Sequence, residues 1–219
     1  MRFFIMLFLA LSLTACESNH YYSMLETFGI QKRDVLTDKV LAATEAQIEA
    51  RAEFQVALDA LEELSRYDGE TLEDAYKKIE KQYQASEQAA NNVTESIDAM
   101  EDVSQNLFDE WDDELNLYTN SGLKRESERK FKEAKLSYQQ MISAMTKAEK
   151  KMTPVIETLR DNMLYLKHNL NKEALSTLEV ELSDLKIDVG RVIRDMNSAI
   201  DESGNFIDSL NQRQRDRRG

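Results

Sequence analysis

The chain has 219 residues and a formal net charge of −13, with 41 acidic against 28 basic side chains. Acidity on this scale excludes nucleic acid as a partner and broad adhesion to anionic lipid, since both are polyanions. One proline, six glycines and an abundance of Ala, Glu, Lys, Leu, Gln and Asp point to long helices with essentially no β-structure.

The first element is an export signal. Met1-Arg2 is a short basic start, Phe3 to Leu13 is a nearly unbroken apolar run, and the small pair Thr14-Ala15 leads into Cys16. The run is too short to anchor in a bilayer, so it reads as the core of a signal peptide. Leu13-Thr14-Ala15-Cys16 resembles the lipobox of bacterial lipoproteins. That resemblance implies cleavage before Cys16, a diacylglyceryl group on its thiol and an N-acyl chain such as palmitate on its amine. Loss of Arg2 with the leader takes the formal charge from −13 to −14. Cys16 is the one cysteine, so no disulfide can form within the chain. Two or more acyl chains anchor stably where one does not. By likeness to enterobacterial lipoproteins, an Asp after the Cys favours the inner membrane. Glu17 therefore places the chain on the periplasmic face of the outer membrane. Beyond the lipid, residues 16–32 form a linker carrying His20 and the amphipathic stretch Tyr21 to Phe28. That stretch either lies in the membrane interface or packs back on the domain.

Four helices follow, in one domain over residues 33–212. Asp68-Gly69, Asn120-Ser121-Gly122 and Asn169 to Lys172 supply the turns. Thr71 with Asp74, and Ser176 with Glu179, match helix-start capping pairs. Between the turns, apolar residues alternate at spacings of four and three. Leu36, Val40, Ala43, Gln47, Ala50, Phe54, Ala57, Leu61 and Leu64 mark the first helix. Leu72, Tyr76, Ile79, Val93, Met100, Ser104, Trp111, Glu114 and Tyr118 mark the second. Phe131, Tyr138, Met145, Met152, Leu159 and Leu166 lie on the third, and Leu178, Leu185, Val192, Ala199, Phe206 and Leu210 on the fourth.

Short turns make sequential helices antiparallel neighbours. Folding at Ser121 sets Ala90 against Met152 and Ser104 against Tyr138; folding at Asp68 sets Phe54 against Tyr83 and Val40 against Ile97. The second and third helices are about 48 residues each, roughly 70 Å long. The first reaches back only to about Met100, and the fourth to about Lys135. The expected fold is all-α: an elongated antiparallel four-helix bundle or coiled coil with a projecting two-helix hairpin tip, from about Glu101 to Ser137. Pro154 lies inside the third helix with the apolar phase continuing through it, which predicts a kink and not a break. Residues 213–219 form a basic tail.

Few residues suggest chemistry. Asp109, Glu110, Asp112, Asp113 and Glu114 end the second helix, and Lys124, Arg125, Arg129, Lys130 and Lys132 open the third. Each cluster sits at the unfavourable end of its helix dipole. Cross-hairpin ion pairing is the plain explanation; a divalent-cation patch or a docking surface on Phe108, Trp111 and Leu117 are the alternatives. The acids lie on a helix without the glycine that a calcium loop requires. Met141, Met145, Met152 and Met163 stripe the third helix as core filling or as an adaptable groove. Gln47, Ser86, Ser104 and Asn162 at core positions read as register devices. His20 and His168 lack a second ligand at metal spacing, and nothing marks a nucleophile turn, an oxyanion hole or a phosphate loop. No catalytic, cofactor-binding or metal residue is expected, and no cofactor beyond the lipid on Cys16. Arg215, Arg217 and Arg218 make the tail a candidate contact for anionic lipid or cell-wall polymer.

Tyr21-Tyr22 through Phe28 to Asp34, the step Met152-Thr153-Pro154-Val155, and Leu166 through Leu175 together resemble an uncharacterised family of gammaproteobacterial helical lipoproteins, catalogued as a domain of unknown function. The resemblance covers essentially the whole mature chain. It implies a periplasmic helical protein and supplies no activity or catalytic residue.

The expected function is therefore non-enzymatic. A lipid-anchored structural or interaction protein would present its coiled-coil hairpin to an envelope partner, through Phe108, Trp111, Asp112, Asp113, Leu117, Arg215, Arg217 and Arg218, or associate with its own copies. The alternative is a periplasmic holdase chaperone that clasps unfolded envelope proteins. A third reading, a cell-envelope hydrolase, would need a polar residue such as His168.

Overall fold

A computed structural model describes residues 32–65, 72–169 and 172–215. Cys16 with its leader, Glu17, His20, the Tyr21–Phe28 stretch, the Asp68-Gly69 turn, Thr71, Arg217 and Arg218 lie outside the described residues, as do the side chains of Ser176, Glu179 and Arg215. Four helices make up the fold: α1 (Lys32–Ser65), α2 (Leu72–Leu115), α3 (Ser121–His168) and α4 (Lys172–Arg215). They form an all-α antiparallel bundle in which α1 packs on α2 and α4, and α3 completes the ring against α2 and α4. Among the described residues no helix is long and apolar enough to cross a membrane.

The heptad positions explain the assembly. Leu36, Val40, Ala43, Ala50 and Phe54 on α1 are fully buried, as are Val93 and Met100 on α2, Met141 and Met145 on α3, and Val189, Met196, Ala199 and Phe206 on α4. Met152 and Met163 are buried with them, so the methionine stripe is core and not a groove. Buried side chains of this size contribute on the order of 1.5–3 kcal/mol each. Pro154 sits on the exposed side of α3, which runs through it without a break; Thr158 donates to the Pro154 carbonyl at 2.9 Å.

Polar links tie the helices together. Thr94 on α2 donates to Glu149 on α3 at 2.9 Å, and Lys147 and Lys151 on α3 converge on Asp195 of α4. Lys186 on α4 reaches Glu62 on α1 at 2.7 Å, and Arg51 donates to Asn197. The α2–α3 register fits the fold expected at the second turn, with Trp111 edge-on to Phe131 at 5.6 Å.

The α1–α2 register differs. Ser86 donates to the Glu53 carbonyl and Lys78 pairs with Glu63, so α1 lies a few residues further along α2 than expected. Lys32 consequently pairs with Glu110 at 3.0 Å, well past the expected limit at Met100. At the same end α4 continues to Arg215, with Leu210 buried. The free-standing hairpin is thus shorter than the expected span of Glu101 to Ser137; it begins beyond Glu110.

Candidate interaction surface at the hairpin tip

Three layers build this end of the molecule. The lowest is aromatic. Phe108 lies edge-on to Phe131 at 6.0 Å and to Tyr138 at 5.5 Å, and Tyr138 meets Phe206 of α4 at 5.8 Å. Edge-to-face pairs add about 0.5–1.5 kcal/mol each beyond burial, so α2, α3 and α4 are bound together here. Burial pushes the Tyr138 phenol up to about 12. Ser104 acts in the opposite direction, but its hydroxyl donates to the Glu101 carbonyl at 2.8 Å, and the phenol oxygen has no hydrogen-bond partner among the described residues.

Two contact candidates belong to this layer. Phe108 is 6% exposed, so its ring holds the hairpin together and offers no surface, contrary to the role expected for it. Trp111 is half-buried against Phe131, and its indole Nε1 donates to Ser127 at 3.1 Å; only part of the ring faces solvent.

The middle layer is charged. Asp109, Asp112, Asp113 and Glu114 are exposed. The expected cross-hairpin pairing does not form among the described residues. Arg129 instead bonds Glu126 at 2.7 Å and Glu133 at 2.6 Å, while Lys130 reaches Glu126 at 3.4 Å. The reason is proximity: α3 supplies its own acids one turn away, at the spacing where helix pairs meet. The Arg129 hydrogen bond holds the Glu126 carboxyl below the usual carboxylate range. Of the acidic run, Glu110 is paired, with Lys32 of α1. Among the described residues no three His, Cys, Asp or Glu side chains are grouped to hold a metal ion.

The outermost layer is the turn itself. α2 ends at Leu115, five residues before the expected turn. The Asn116 and Leu117 amides bond back to Asp113 and Glu114 at 3.1 and 3.0 Å. Asn120 then caps α3: its side-chain oxygen accepts from Gly122 at 2.8 Å and Leu123 at 3.1 Å. Such a cap is worth about 1 kcal/mol. Gly122 is helical and not the bend; a Cβ there would sit 3.2 Å from the capping oxygen, so glycine permits the cap's close approach. This braced turn holds Leu117 78% exposed, Leu123 59% and Tyr118 40%.

The heptad phase explains why Tyr118, expected on the core face, is exposed. From Val93 the buried positions step through Ile97, Met100, the pair Val103 and Ser104, Phe108 and Leu115. An extra four-residue step at Ser104 to Phe108 shifts the seam, as a stutter does. Glu114 and Tyr118 therefore leave the core face assigned to them and are exposed. His168, the last residue of α3, is exposed as well.

A family model described as a protein of unknown function, DUF2959, matches residues 21–210. The chain belongs to the DUF2959 family. The match takes in all of α1, α2 and α3 and nearly all of α4, so the bundle and its tip are features of the DUF2959 region. No curated protein matches the chain.

Proposed function

We propose that this DUF2959 protein is a non-enzymatic, lipid-anchored interaction protein of the bacterial cell envelope. Cys16, within Leu13-Thr14-Ala15-Cys16, carries the lipid and holds the bundle at the periplasmic face of the outer membrane. The bundle is the spacer and the hairpin tip is the contact surface. The observation that supports this reading is the distribution of apolar surface. Heptad side chains fill the interior, while Leu117 and Tyr118, on a turn braced by two sets of hydrogen bonds, and Leu123, in the first turn of α3, stand exposed at the tip. Apolar groups gathered and rimmed by charge mark a binding surface, where isolated ones do not. Asp112 and Asp113 form part of that rim, and the basic tail Arg215, Arg217 and Arg218 is the second contact candidate in the sequence.

In-cell photo-crosslinking tests this directly. A crosslinker at Asp113 is expected to give adducts with an envelope component, lipid included, and one at Tyr165 near the opposite end is expected to give none. Equal yields from both positions would refute a tip-specific contact. A ladder of many unfolded envelope proteins from Asp113 would favour the holdase alternative.

A second contact surface has its own support. Leu41, Ile48 and Val56 are 51%, 42% and 44% exposed along the outer side of α1. We propose that this side mediates association between copies. Ile48→Lys should then lower the sedimentation mass of the purified chain, and an unchanged mass would refute the pairing.

A further inference from the structure

We infer that the hairpin tip is a membrane-interface anchor: Leu117, Tyr118 and Leu123 dip into the zwitterionic phospholipid surface to which Cys16 is tethered. The inference rests on the lipid-anchor reading above.

Chain geometry carries it first. α1 enters the bundle at the tip end, because Lys32 pairs with Glu110 at 3.0 Å. Glu110 lies only five residues below the end of α2 at Leu115, about 8 Å along the helix. The sixteen residues from Cys16 to Gln31 reach at most about 55 Å when fully extended. The other end of the 34-residue α1 is about 50 Å from Lys32. With the tip toward the bilayer, the tether is slack. With the opposite end toward the bilayer, Lys32 is lifted by the length of α1 and the tether must be almost straight, at a large entropic cost.

Chemistry carries it next. The turn presents Leu117 and Tyr118 and the first turn of α3 presents Leu123, a composition that partitions into the boundary between headgroups and acyl chains. Lys124 and Arg125 follow directly on α3, and long basic side chains in that position reach phosphate while their stems cover apolar surface. Asp112, Asp113 and Glu114 are exposed about one turn below. Carboxylates at headgroup depth repel anionic lipid, so the surface selected is zwitterionic. The hydrogen bonds at Asn116, Leu117 and Asn120 fix the turn in advance, so little ordering accompanies insertion.

Brominated-lipid quenching tests the inference on the full-length protein. Trp111→Phe removes the single tryptophan while keeping an aromatic ring against Phe131. Leu117→Trp then places a reporter on the turn, and Leu164→Trp places one near the far end of α3. Phosphatidylcholine vesicles brominated high on the acyl chain are expected to reduce emission from position 117 at least twofold and leave position 164 unchanged. At a constant fraction of brominated lipid, replacing half of the phosphatidylcholine with phosphatidylglycerol should weaken the quenching of the protein lacking the lipid, Cys16→Ser. Helical circular dichroism checks that every variant is folded. Palmitate labelling of Cys16, scored in parallel, separates the two readings. Label without quenching at 117 keeps the anchor and overturns the tip inference. Quenching without label keeps the tip and overturns the anchor. A discrete protein adduct from a crosslinker at 117, with no quenching, assigns the tip to a protein partner and also overturns the inference.

Discussion

Gln47 lies fully buried in the middle of α1, and among the described residues neither the nitrogen nor the oxygen of its amide has a hydrogen-bond partner. An apolar residue of the same length should therefore stabilise the bundle. A buried polar group left unpaired costs about 1–3 kcal/mol, and Gln47 carries two. Methionine nearly preserves length and volume, so its misfit is under about 1.5 kcal/mol. The net gain expected for Gln47→Met is about 2 kcal/mol. For a domain of this size, about 2–4 °C of Tm accompanies each kcal/mol, giving a rise of roughly 4–8 °C. The assay is urea unfolding followed by helical circular dichroism, on the chain lacking residues 1–15 and carrying Cys16→Ser. The midpoint should rise with the slope unchanged, since the slope follows the surface exposed on unfolding. Gln47→Glu is the control: the same shape with a charge should lower the midpoint, and more at pH 8 than at pH 5. An unchanged or lowered midpoint for Gln47→Met would refute the reasoning.

Three further perturbations probe other parts of the bundle. Gly204 is exposed within α4, and a Cβ there would meet nothing within 4 Å, so Gly204→Ala should stabilise by about 0.5–1 kcal/mol; a loss on urea unfolding would contradict this. Burial acts to raise the Asp195 carboxyl, but hydrogen bonds and charge from Lys151 and Lys147 outweigh it and hold the group below its usual range. A depressed carboxylate contributes stability above its unfolded pKa of about 3.9 and loses it as pH falls through the folded value. Asp195→Asn should thus cost about 0.5–1 kcal/mol at pH 7, after allowance for solvent screening, and nothing at pH 2; a cost independent of pH would remove the ion pairs from the account. Phe108→Ala should destabilise by about 3–5 kcal/mol, with the greatest loss of hydrogen-exchange protection at Phe131 and Tyr138; protection lost evenly along the chain would contradict an aromatic layer at the base of the tip.

The bundle was legible because one physical signal, apolar residues at spacings of four and three, continues for the whole length of each helix. Core membership follows it closely, from Leu36 to Phe54 on α1 and from Leu178 to Leu210 on α4. Two things were not legible. The α1–α2 register is set by how the two helix faces pack on each other, and no periodicity within one helix encodes that; Lys32 on Glu110 and Ser86 on Glu53 could be read only from the fold. The tip was obscured by the stutter at Ser104 to Phe108, which turns Phe108 inward and Glu114 outward. One signal was available: Asn120 precedes a new helical run, and its short polar side chain is a preferred cap. Taking Asn120 as the cap ends α2 earlier and leaves Leu117 and Tyr118 in the turn. The charged clusters were misread for a simpler reason. Opposite charges across a hairpin compete with opposite charges one turn away on the same helix, and on α3 Glu126 and Glu133 are the nearer partners of Arg129.

The lipid on Cys16 is the claim from which the tip's position follows. Its most direct measurement is the mass of the N-terminal peptide from the membrane fraction of cells making the full chain. The account predicts a peptide that begins at Cys16 and carries a diacylglyceryl group with an additional acyl chain. A peptide that begins elsewhere, or that carries Cys16 as a free thiol, would contradict it.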